Sequence, residues 1–469
     1  MNLLTFSLEK KNEFPLYQQL YLQIKKEIVE GRILPGERIP SKRKLSAYLE
    51  LGQNTVQAAY DQLLDEGYIL AEERRGYFVA KLDNIIRLEE NSLPIVRRKE
   101  EKRIRYDFSY QGVDRDSFPY ALWRRLHKEV IEEGDGEITE LGEAQGNYAL
   151  RIEIARYLHG SRGVNCLPEQ IIISAGTEYL LQTLIHILPQ HTLYGLENPG
   201  YERLNQIFSR LNAEHLPLEL DAEGLAIDAL QKSSVDVALI TPSHQFPTGR
   251  IMPVSRRIEL LNWAKEKGER YIIEDDYDSE FKYGGRPIPA LQGLDGGEKV
   301  VYLGAFSKSL APGIRTSYMV LPPNLLRIYN SLMKHLACPV ATLNQKVLTR
   351  FISEGHFERH LNKMRNLYKR KREILVRELK KLGKRYEIIG AEAGLHLVIR
   401  IKDELTEREL ITRAEKNDVR VYGLSSYYYG GHDSEKHPRI LLGFASMKEE
   451  EIVEAVKRLE KAWRERETW

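Results

Sequence analysis

The segment VVYLGAFSKSLAPGIRTSYMV, residues 300–320, contains an apolar stretch that ends in a glycine, followed by a lysine among small and polar residues. Its first four residues predict a short buried strand, and Gly304 lets the backbone turn close to a neighbouring element. We therefore expect Lys308 on a loop at the end of a strand. There its amine would lie beside the Ser307 hydroxyl and near the Arg315 guanidinium, a group that can hold a phosphate.

A lysine in this setting is what a pyridoxal phosphate site requires, because the amine can form a Schiff base with the cofactor and the neighbouring groups can anchor its phosphate. The alternative is that Lys308 is a solvated loop lysine, as most lysines are. These residues alone do not decide between the two interpretations. An acidic segment upstream favours the interpretation that Lys308 lies in a cofactor site.

That acidic segment is RYIIEDDYDSEF, residues 270–281, an apolar strand with carboxylates at its end. A carboxylate buried there would be costly without a partner, and a protonated pyridine nitrogen is such a partner. Asp275 in that role would keep the ring protonated and make it an electron sink. Tyr277 lies on the same face of an extended chain and could hydrogen-bond the phenolic oxygen of the ring. A metal site built from Glu274, Asp275 and Asp276 is less attractive, because no histidine lies nearby in the sequence.

Beyond Tyr106, strands alternate with helices, a pattern typical of a mainly parallel sheet covered on both faces. QIIISAG, residues 170–176, predicts a strand that enters a glycine turn before a helix. Backbone amides at a helix start can bind phosphate, so Gly176 and Thr177 are candidates for the cofactor phosphate. TPSHQFPTG, residues 241–249, follows another buried strand and places irregular backbone at the carboxyl edge of the sheet, where ligands bind in open α/β folds.

Composition sets the broad class of the protein. Its 469 residues exceed one ordinary domain, and 42% hydrophobic with 29% charged residues allow a sizeable core. No apolar run approaches the roughly 18 residues of a membrane span, and no signal-peptide pattern is present, so a soluble, cytoplasmic protein is expected. Cys166 and Cys338 are too few and too far apart for a disulfide framework or a cysteine zinc site, and we expect no metal. With a net charge of +2, nucleic-acid binding would depend on a local patch.

The N-terminal segment predicts three helices and a hairpin. Apolar residues recur every four positions in PLYQQLYLQIKKEIVEG, which indicates a first amphipathic helix. Ser41 is a good N-cap for the second helix, and Gly52 separates it from the third, for which Asn54 is the expected cap. This is the layout of a helix-turn-helix, and the hairpin GYILAEERRGYFV would act as a wing with arginines near its tip. The alternative is a small helical domain with solvated charges.

The same segment resembles the winged-helix domain of the GntR superfamily, in which PSKRKLSAYLELGQNTVQAAYDQLLDEGYI and a final RRGYFV are characteristic. The resemblance implies that double-stranded operator DNA is a partner, and it implies a set of DNA-facing residues: Ser41, Arg43, Gln53, Asn54, Thr55, Gln57 and Arg75. We expect residues 1–80 to form this winged helix-turn-helix domain. Residues 81–106 are charged and poorly periodic, and we expect a linker there.

Residues 107–469 resemble a fold-type I aminotransferase, because a strand-end aspartate is followed about thirty residues later by a strand-end lysine and then by an arginine seven positions on. With the winged helix in front, nearly the whole chain is similar to the MocR/GabR regulators. Three segments are most similar to their GABA-responsive members: TPSHQFPTGRIMPVSRRIELLNWA, RYIIEDDYDSEF and FSKSLAPGIRTSYMVLPP. The resemblance implies an α/β fold with a large domain that binds pyridoxal 5'-phosphate and senses an effector.

The resemblance also implies roles for single residues. Lys308 would carry the internal Schiff base, Asp275 would pair with the pyridine nitrogen, and Tyr277 would contact the ring oxygen. Tyr201 would stack on the ring. The phosphate would be held by Arg315, Ser307, Gly176 and Thr177.

Two arginines are expected to hold the effector carboxylate. Arg203 matches the first. The second is expected where His437 stands, and Arg439, on the same face of an extended strand, could supply it instead. The chain also departs from catalytic aminotransferases at Phe246, where an asparagine usually touches the ring oxygen, and at Ala305, where a hydroxyl is usual. Both changes are expected to weaken turnover.

We therefore expect a transcriptional regulator in which the amine of a small amino acid displaces Lys308 and forms an external aldimine, and thereby shifts the protein between two states. The resemblance favours GABA as effector, with D-alanine as an alternative. It also implies a homodimer in which each DNA-binding domain lies over the partner's large domain. The main alternative is a working aminotransferase with a DNA-binding module, although at most a half-transamination is expected. The third is a DNA-binding protein whose large domain only dimerises.

Overall fold

The computed structural model describes residue 8 and residues 14–81, 104–134, 136–284, 288–429 and 437–464. The chain divides into two compact units, Met1–Glu101 and Lys102–Trp469. Most of the expected linker, residues 81–106, lies outside the described residues. Among the described residues, no helix combines the length and apolar character needed to cross a bilayer.

The first unit is a three-helix domain with a small antiparallel sheet. Its elements are α1 (Leu16–Val29), β1 (Arg38–Ile39), α2 (Lys42–Leu49), α3 (Gln53–Asp65), β2 (Ile69–Glu72) and β3 (Gly76–Val79). The strands pair in the order β1-β3-β2, so β2 and β3 form the predicted hairpin. Side chains from the helices and the hairpin share one core, which includes Leu20, Ile24, Leu45, Val56, Leu63 and Ile69.

The N-cap residues of α2 and α3 were both predicted from the sequence. Ser41 caps α2 as predicted, since its hydroxyl accepts a hydrogen bond from the Lys44 amide at 3.3 Å. The prediction that Asn54 caps α3 is wrong. The helix begins one residue earlier, at Gln53, and Gly52 occupies the N-cap position without a side chain to contribute.

The second unit alternates strands and helices along most of its length. The first half of its elements comprises β4 (Tyr106–Asp107), α4 (Tyr120–Glu133), α5 (Tyr148–Arg162), β5 (Ile171–Ser174), α6 (Thr177–Ile187), β6 (Tyr194–Asn198), α7 (Glu202–Arg210), β7 (His215–Asp221), β8 (Gly224–Leu225), α8 (Ile227–Lys232), β9 (Val237–Ile240), α9 (Val254–Lys265) and β10 (Tyr271–Asp276). The second half comprises α10 (Leu291–Asp295), β11 (Val300–Ala305), α11 (Phe306–Ser309), β12 (Ser317–Val320), α12 (Pro323–Leu332), α13 (Thr342–Ser353), α14 (His356–Lys381), β13 (Tyr386–Ile389), β14 (His396–Ile401), α15 (Glu407–Lys416), β15 (Val419–Arg420), β16 (Tyr422–Gly423), β17 (Arg439–Gly443) and α16 (Glu449–Arg464).

Eight strands of this unit form one sheet in the order β5-β12-β11-β10-β9-β6-β7-β8. β11, β10, β9, β6 and β7 run parallel, whereas β12 is antiparallel to both of its neighbours. Successive side chains of a strand point to opposite faces of the sheet. Apolar side chains therefore lie on both faces, and helices cover both. Tyr302 packs with side chains of α5 and α13, while Val301 and Leu303 pack with side chains of α6 and α12. The expected α/β fold with a mainly parallel sheet is confirmed.

A smaller antiparallel sheet lies toward the end of the chain, in the order β13-β14-β17-β16. It shares a core with α14, α15 and α16, through buried residues such as Leu375, Leu410 and Leu459. β17 lies between β14 and β16, which places Arg439 opposite Arg400 of β14.

Candidate functional site

A cavity of about 260 Å³ lies at the carboxyl ends of β6, β9, β10 and β11. Parallel pairing places Asp275 of β10 opposite Leu303 of β11, so the acid comes to the same sheet edge as the lysine that follows β11. The cavity brings together residues that the sequence placed in a cofactor or effector site: Gly176, Thr177, Tyr201, Arg203, Asp275, Tyr277, Ser307, Lys308 and Arg315.

Lys308 lies in the single helical turn α11 and not on a loop, so that expectation is wrong. Phe306 begins the turn and is buried, and its carbonyl accepts the Leu310 amide, which closes the turn. The Lys308 amine donates to the Tyr110 carbonyl and lies 5.7 Å from the centre of the Tyr110 ring. Burial lowers the pKa of the Lys308 amine to about 8, so a useful fraction is neutral and nucleophilic near neutral pH.

The acidic segment separates its carboxylates by strand alternation. Glu274 accepts hydrogen bonds from the amides of Leu291 and Gln292, at 2.8 and 2.9 Å. Asp276 accepts from Arg162 Nε at 2.8 Å and from the Tyr302 hydroxyl at 2.6 Å. Only Asp275, between them, lines the cavity. The three carboxylates therefore do not converge on one metal ion.

Two acids that line the cavity have strongly shifted pKa values. Burial, with repulsion from Asp276, Asp278 and Glu197, raises the pKa of Asp275 to about 7. Burial also raises the pKa of Glu197 to about 7. Glu197 Oε2 accepts from the Thr241 hydroxyl at 2.6 Å, whereas its buried Oε1 has no hydrogen-bond partner among the described residues. Sequence reasoning missed Glu197, although it ends a buried strand as Asp275 does.

The other end of the cavity is cationic and meets the start of α6. Arg315 Nη2 donates to the Ala175 carbonyl at 2.9 Å and to Glu178 at 3.0 Å. Gly176 has a φ of 127°, and a Cβ there would lie 2.2 Å from Arg315 Nη2, so only glycine permits this approach. Arg203 lies 3.9 Å from the same Glu178 carboxylate. The guanidinium, the helix start and the Ser307 hydroxyl are donors that fit a phosphate.

Aromatic rings form the wall beside the Lys308 amine. Tyr110 lies 4.8 Å from Phe246 and 6.4 Å from Tyr201, measured between ring centres. Phe246 also packs edge-on against Tyr427 at 5.2 Å. Phe246 offers no hydrogen bond at the position where an asparagine is usual, and Tyr110 was not singled out by the sequence. An aromatic wall of this kind can pack against a planar ring.

Arg439 does not line this cavity. It is 5% exposed, donates to the Tyr428 hydroxyl, and its guanidinium carbon lies 5.8 Å from the centre of the Tyr428 ring. Tyr428 borders a smaller neighbouring pocket, which shares Glu197 and Tyr201 with the main cavity. Arg439 is therefore held by Tyr428, whereas Arg203 lines the main cavity.

A buried polar cluster contacts Tyr277. The Tyr277 hydroxyl donates to the His244 carbonyl at 2.9 Å and lies 3.0 Å from His244 Nδ1. The same Nδ1 lies 3.0 Å from Asp278. His396 packs against His244, and ligand-type atoms of His244, Asp278 and His396 lie within 4.8 Å of one another. Two histidines thus approach the acidic segment, although none is near it in sequence.

The residues expected to face DNA lie at the start of α2, on α3 and at the tip of the hairpin. Arg43, Gln53 and Asn54 are exposed there, while Thr55 and Gln57 are half-buried. Ser41 is exposed but its hydroxyl is used as the α2 cap. Gln57 is held by Lys42 and Asp61. Arg75 lies at the hairpin tip, 2.5 Å from Glu72.

Comparisons with known proteins match both units. Residues 16–79 match the family described as bacterial regulatory proteins, gntR family, and residues 115–459 match aminotransferase class I and II. The uncharacterized HTH-type transcriptional regulator YdeL of Bacillus subtilis is 39% identical over 97% of this chain and 98% of its own. The probable rhizopine catabolism regulatory protein MocR of Rhizobium meliloti is 30% identical over 97% and 95%. An archaeal alanine:glyoxylate aminotransferase of solved structure is 25% identical, covers 78% of this chain and 92% of its own, and superposes with a TM-score of 0.70.

Proposed function

Because this chain belongs to the MocR-type regulators, which join a gntR-family domain to an aminotransferase class I and II domain, we propose that its DNA binding is controlled by a small amino acid that reacts at Lys308. The observation that carries the proposal is one cavity in which Lys308, Asp275, Tyr277 and Arg315 meet. The chain that holds this cavity also carries a winged helix.

Pyridoxal phosphate, when bound, supplies an aldehyde that condenses reversibly with amines and a ring that accepts electrons. The chain supplies the amine of Lys308, whose lowered pKa favours the neutral nucleophile. Asp275 supplies a buried acceptor for a ring N–H, and such a cation would bring the raised pKa of Asp275 back down. Arg315, Ser307 and the start of α6 supply donors for the phosphate.

The effector would carry an amine and an acid group. Arg203 is the cation that lines the cavity away from the sheet, and we propose that it pairs with the effector carboxylate. Arg439 would join it only if Tyr428 gave up its hydrogen bond, so we propose Arg439 as a second ligand that is recruited on binding. GABA fits this arrangement, because its amine and carboxylate lie at opposite ends of a short chain.

We further propose that the protein acts as a homodimer, with the DNA-binding domains exchanged between protomers. Large apolar side chains are exposed on the second unit, including Leu141 at 83% and Leu336 at 60%. Exposed apolar groups of this size are typical of protein interfaces. A dimer would also place two winged helices on one operator, as paired half-sites require.

The decisive experiment is a spectral titration of the reconstituted protein with a panel of amino acids, with and without operator DNA. The wild type should show a visible absorption band that changes with the effector, and the change should alter operator affinity. Lys308→Ala should lose the band and the effector response yet keep operator binding. A Lys308→Ala protein that responds normally to the effector would contradict the proposal.

A working aminotransferase is the second candidate, because the cavity retains the lysine, aspartate and tyrosine around one site. Multiple turnovers with an α-keto acid as amino acceptor would favour it. A single half-reaction, in which the absorption changes once and stops, would favour the sensor.

A further inference from the structure

Tyr277 lines the cavity, and its hydroxyl contacts an imidazole that in turn contacts a carboxylate. The hydroxyl proton is donated to the His244 carbonyl at 2.9 Å, and the hydroxyl oxygen lies 3.0 Å from His244 Nδ1. The Asp278 carboxylate lies 3.0 Å from the same nitrogen. Because an ionised carboxylate can only accept, the proton of the imidazole belongs on Nδ1, where it can serve both Asp278 and the Tyr277 oxygen.

The His244 side chain is buried and closely surrounded by neighbouring residues. The imidazole is 1% exposed, and its Nε2 has no hydrogen-bond partner among the described residues. A Cβ at Gly394 would lie 2.0 Å from His244 Cε1 and 2.5 Å from the Asp278 carboxylate, so a larger residue there would displace the pair. The His396 ring packs on the other side, 4.7 Å from His244 between ring centres. His244 therefore has one fixed orientation toward Tyr277.

A carboxylate can fix the tautomer of an imidazole that acts on a hydroxyl. Unlike a catalytic triad, which uses both ring nitrogens, this cluster places Asp278 and the Tyr277 hydroxyl on the same nitrogen, His244 Nδ1. Here the imidazole N–H points at the phenol oxygen. It therefore occupies a lone pair of the phenol oxygen and makes the phenol a stronger donor, to the His244 carbonyl in this structure and to an acceptor in the cavity once the hydroxyl hydrogen turns toward it.

Resting on the function proposed above, we propose that His244 and Asp278 are positioning residues that polarise Tyr277, and thereby set the pH at which the cofactor bound at Lys308 changes its protonation state. The other charged groups that face this cluster include Asp275 and Asp276 of β10, Glu280 after β10, Glu197 of β6, Lys308 of α11 and, through Asp276, Arg162 of α5. Burial and His244 lower the pKa of His396 well below its usual range, so His396 is neutral and adds no charge. Apart from His396, none of these groups is removed in the variants that test the proposal.

The test is a pH titration of the visible spectrum of the reconstituted full-length protein. Removing the donor with His244→Leu should raise the titration midpoint by about one pH unit, the size expected of one hydrogen bond. Asp278→Asn should shift it in the same direction. His244→Asn keeps a donor close to the Nδ1 position and should return the midpoint toward the wild-type value, which a purely structural role would not do.

Two further variants separate polarisation from packing. In a Tyr277→Phe background, His244→Leu should add no further shift, because His244 acts only through the phenol. His396→Gln alters the packing on the same imidazole without touching Tyr277, and its midpoint should match the wild type. Dialysis against a chelator should leave all midpoints unchanged, since a shift would assign His244, Asp278 and His396 to a metal ion and overturn the inference.

The outcomes distinguish this inference from the function on which it rests. A wild-type protein without a visible band would overturn both. A band whose midpoint is insensitive to His244→Leu, or additive shifts in the double variant, would overturn the role of His244 and leave the sensor function intact.

Discussion

At the scale of single residues, Glu178 places a carboxylate among the cations of the cavity. It lies 3.0 Å from Arg315 and 3.9 Å from Arg203, the two guanidinium groups suited to a phosphate and to an effector carboxylate. An anionic ligand must compete with this side chain for both arginines. Because all three side chains are partly exposed, the competition is modest and screened by salt.

We predict that Glu178→Gln strengthens anion binding to the cofactor-free protein. The affinity for inorganic phosphate and for pyridoxal phosphate should rise about three- to tenfold at low ionic strength, and the gain should shrink in high salt. Isothermal titration calorimetry measures both. Glu202→Gln, an equal charge change at an exposed position of α7 that hydrogen-bonds Gln206, is the control and should have little effect. Equal affinities for the two variants would show that Glu178 does not compete with the anion.

We also predict that Asp275→Asn stabilises the cofactor-free protein in a pH-dependent way. The folded state raises the pKa of Asp275 to about 7, whereas an unfolded aspartate ionises near pH 4. The raised pKa favours folding below pH 4, and this advantage is lost as the pH rises to about 7. The variant should therefore exceed the wild type in free energy of unfolding by an amount that grows over this range, to about 4 kcal/mol.

Urea denaturation at several pH values measures that difference. With pyridoxal phosphate present the order should reverse, because the wild type gains a cationic partner for the carboxylate and the asparagine does not. A stability difference that is constant with pH would show that Asp275 is not a buried, proton-binding acid.

At the scale of elements, strand periodicity was enough to predict which residues share the sheet edge. Asp275 lies at the end of β10, Tyr277 follows β10 and Lys308 follows β11, and parallel pairing of those strands brings the three together whatever the details of the loops. Periodicity could not predict the single turn α11, which is fixed by burial of Phe306. Nor could it place Arg439, whose direction depends on Tyr428 in a loop.

Contacts between segments that are distant in the chain also could not be predicted from the sequence. His244 and His396 meet because β14, in the smaller sheet, packs against the loop after β9, and the His396 imidazole contacts the Pro247 carbonyl at 3.1 Å. Tyr110 approaches Lys308 from the start of the second unit. A single sequence carries no signal for such pairings, which arise from how the two sheets pack.

The helices of the first unit support a prediction at the same scale. Arg43 is exposed in the first turn of α2, next to the exposed start of α3, where a helix-turn-helix meets DNA. Arg43→Ala should weaken binding by about 1–2 kcal/mol. The DNA should be a site selected by the wild type from a random pool, and fluorescence anisotropy gives the affinity. The cofactor spectrum should not change.

Arg32→Ala is the matched control for that experiment. Arg32 is also exposed and follows α1, where it pairs with Glu27 and not with α2 or α3. It should change operator affinity only slightly. If Arg32→Ala weakens binding as much as Arg43→Ala, the surface formed by α2 and α3 is not the DNA-binding surface.

At the scale of the whole molecule, the second unit exposes large apolar side chains, which are typical of a protein interface. Leu141 and Tyr148 border one surface groove together with Cys338, and Leu141 projects most of its surface to solvent. Leu167 is also exposed, at 64%, but does not line that groove. Two exposed apolar side chains that border one groove are more typical of an interface than a single exposed leucine.

We predict that Leu141→Asp shifts the proposed dimer to a monomer, because a carboxylate would have to be buried in the interface. Sedimentation velocity over a range of concentrations measures the shift, and circular dichroism should show an unchanged fold. Leu167→Asp, the same substitution outside the groove, should remain dimeric.

The monomer should also bind a two-half-site operator much more weakly while binding an isolated half-site normally, since one winged helix loses the effective concentration supplied by the other. If Leu141→Asp stays dimeric, the groove is not where the protomers meet.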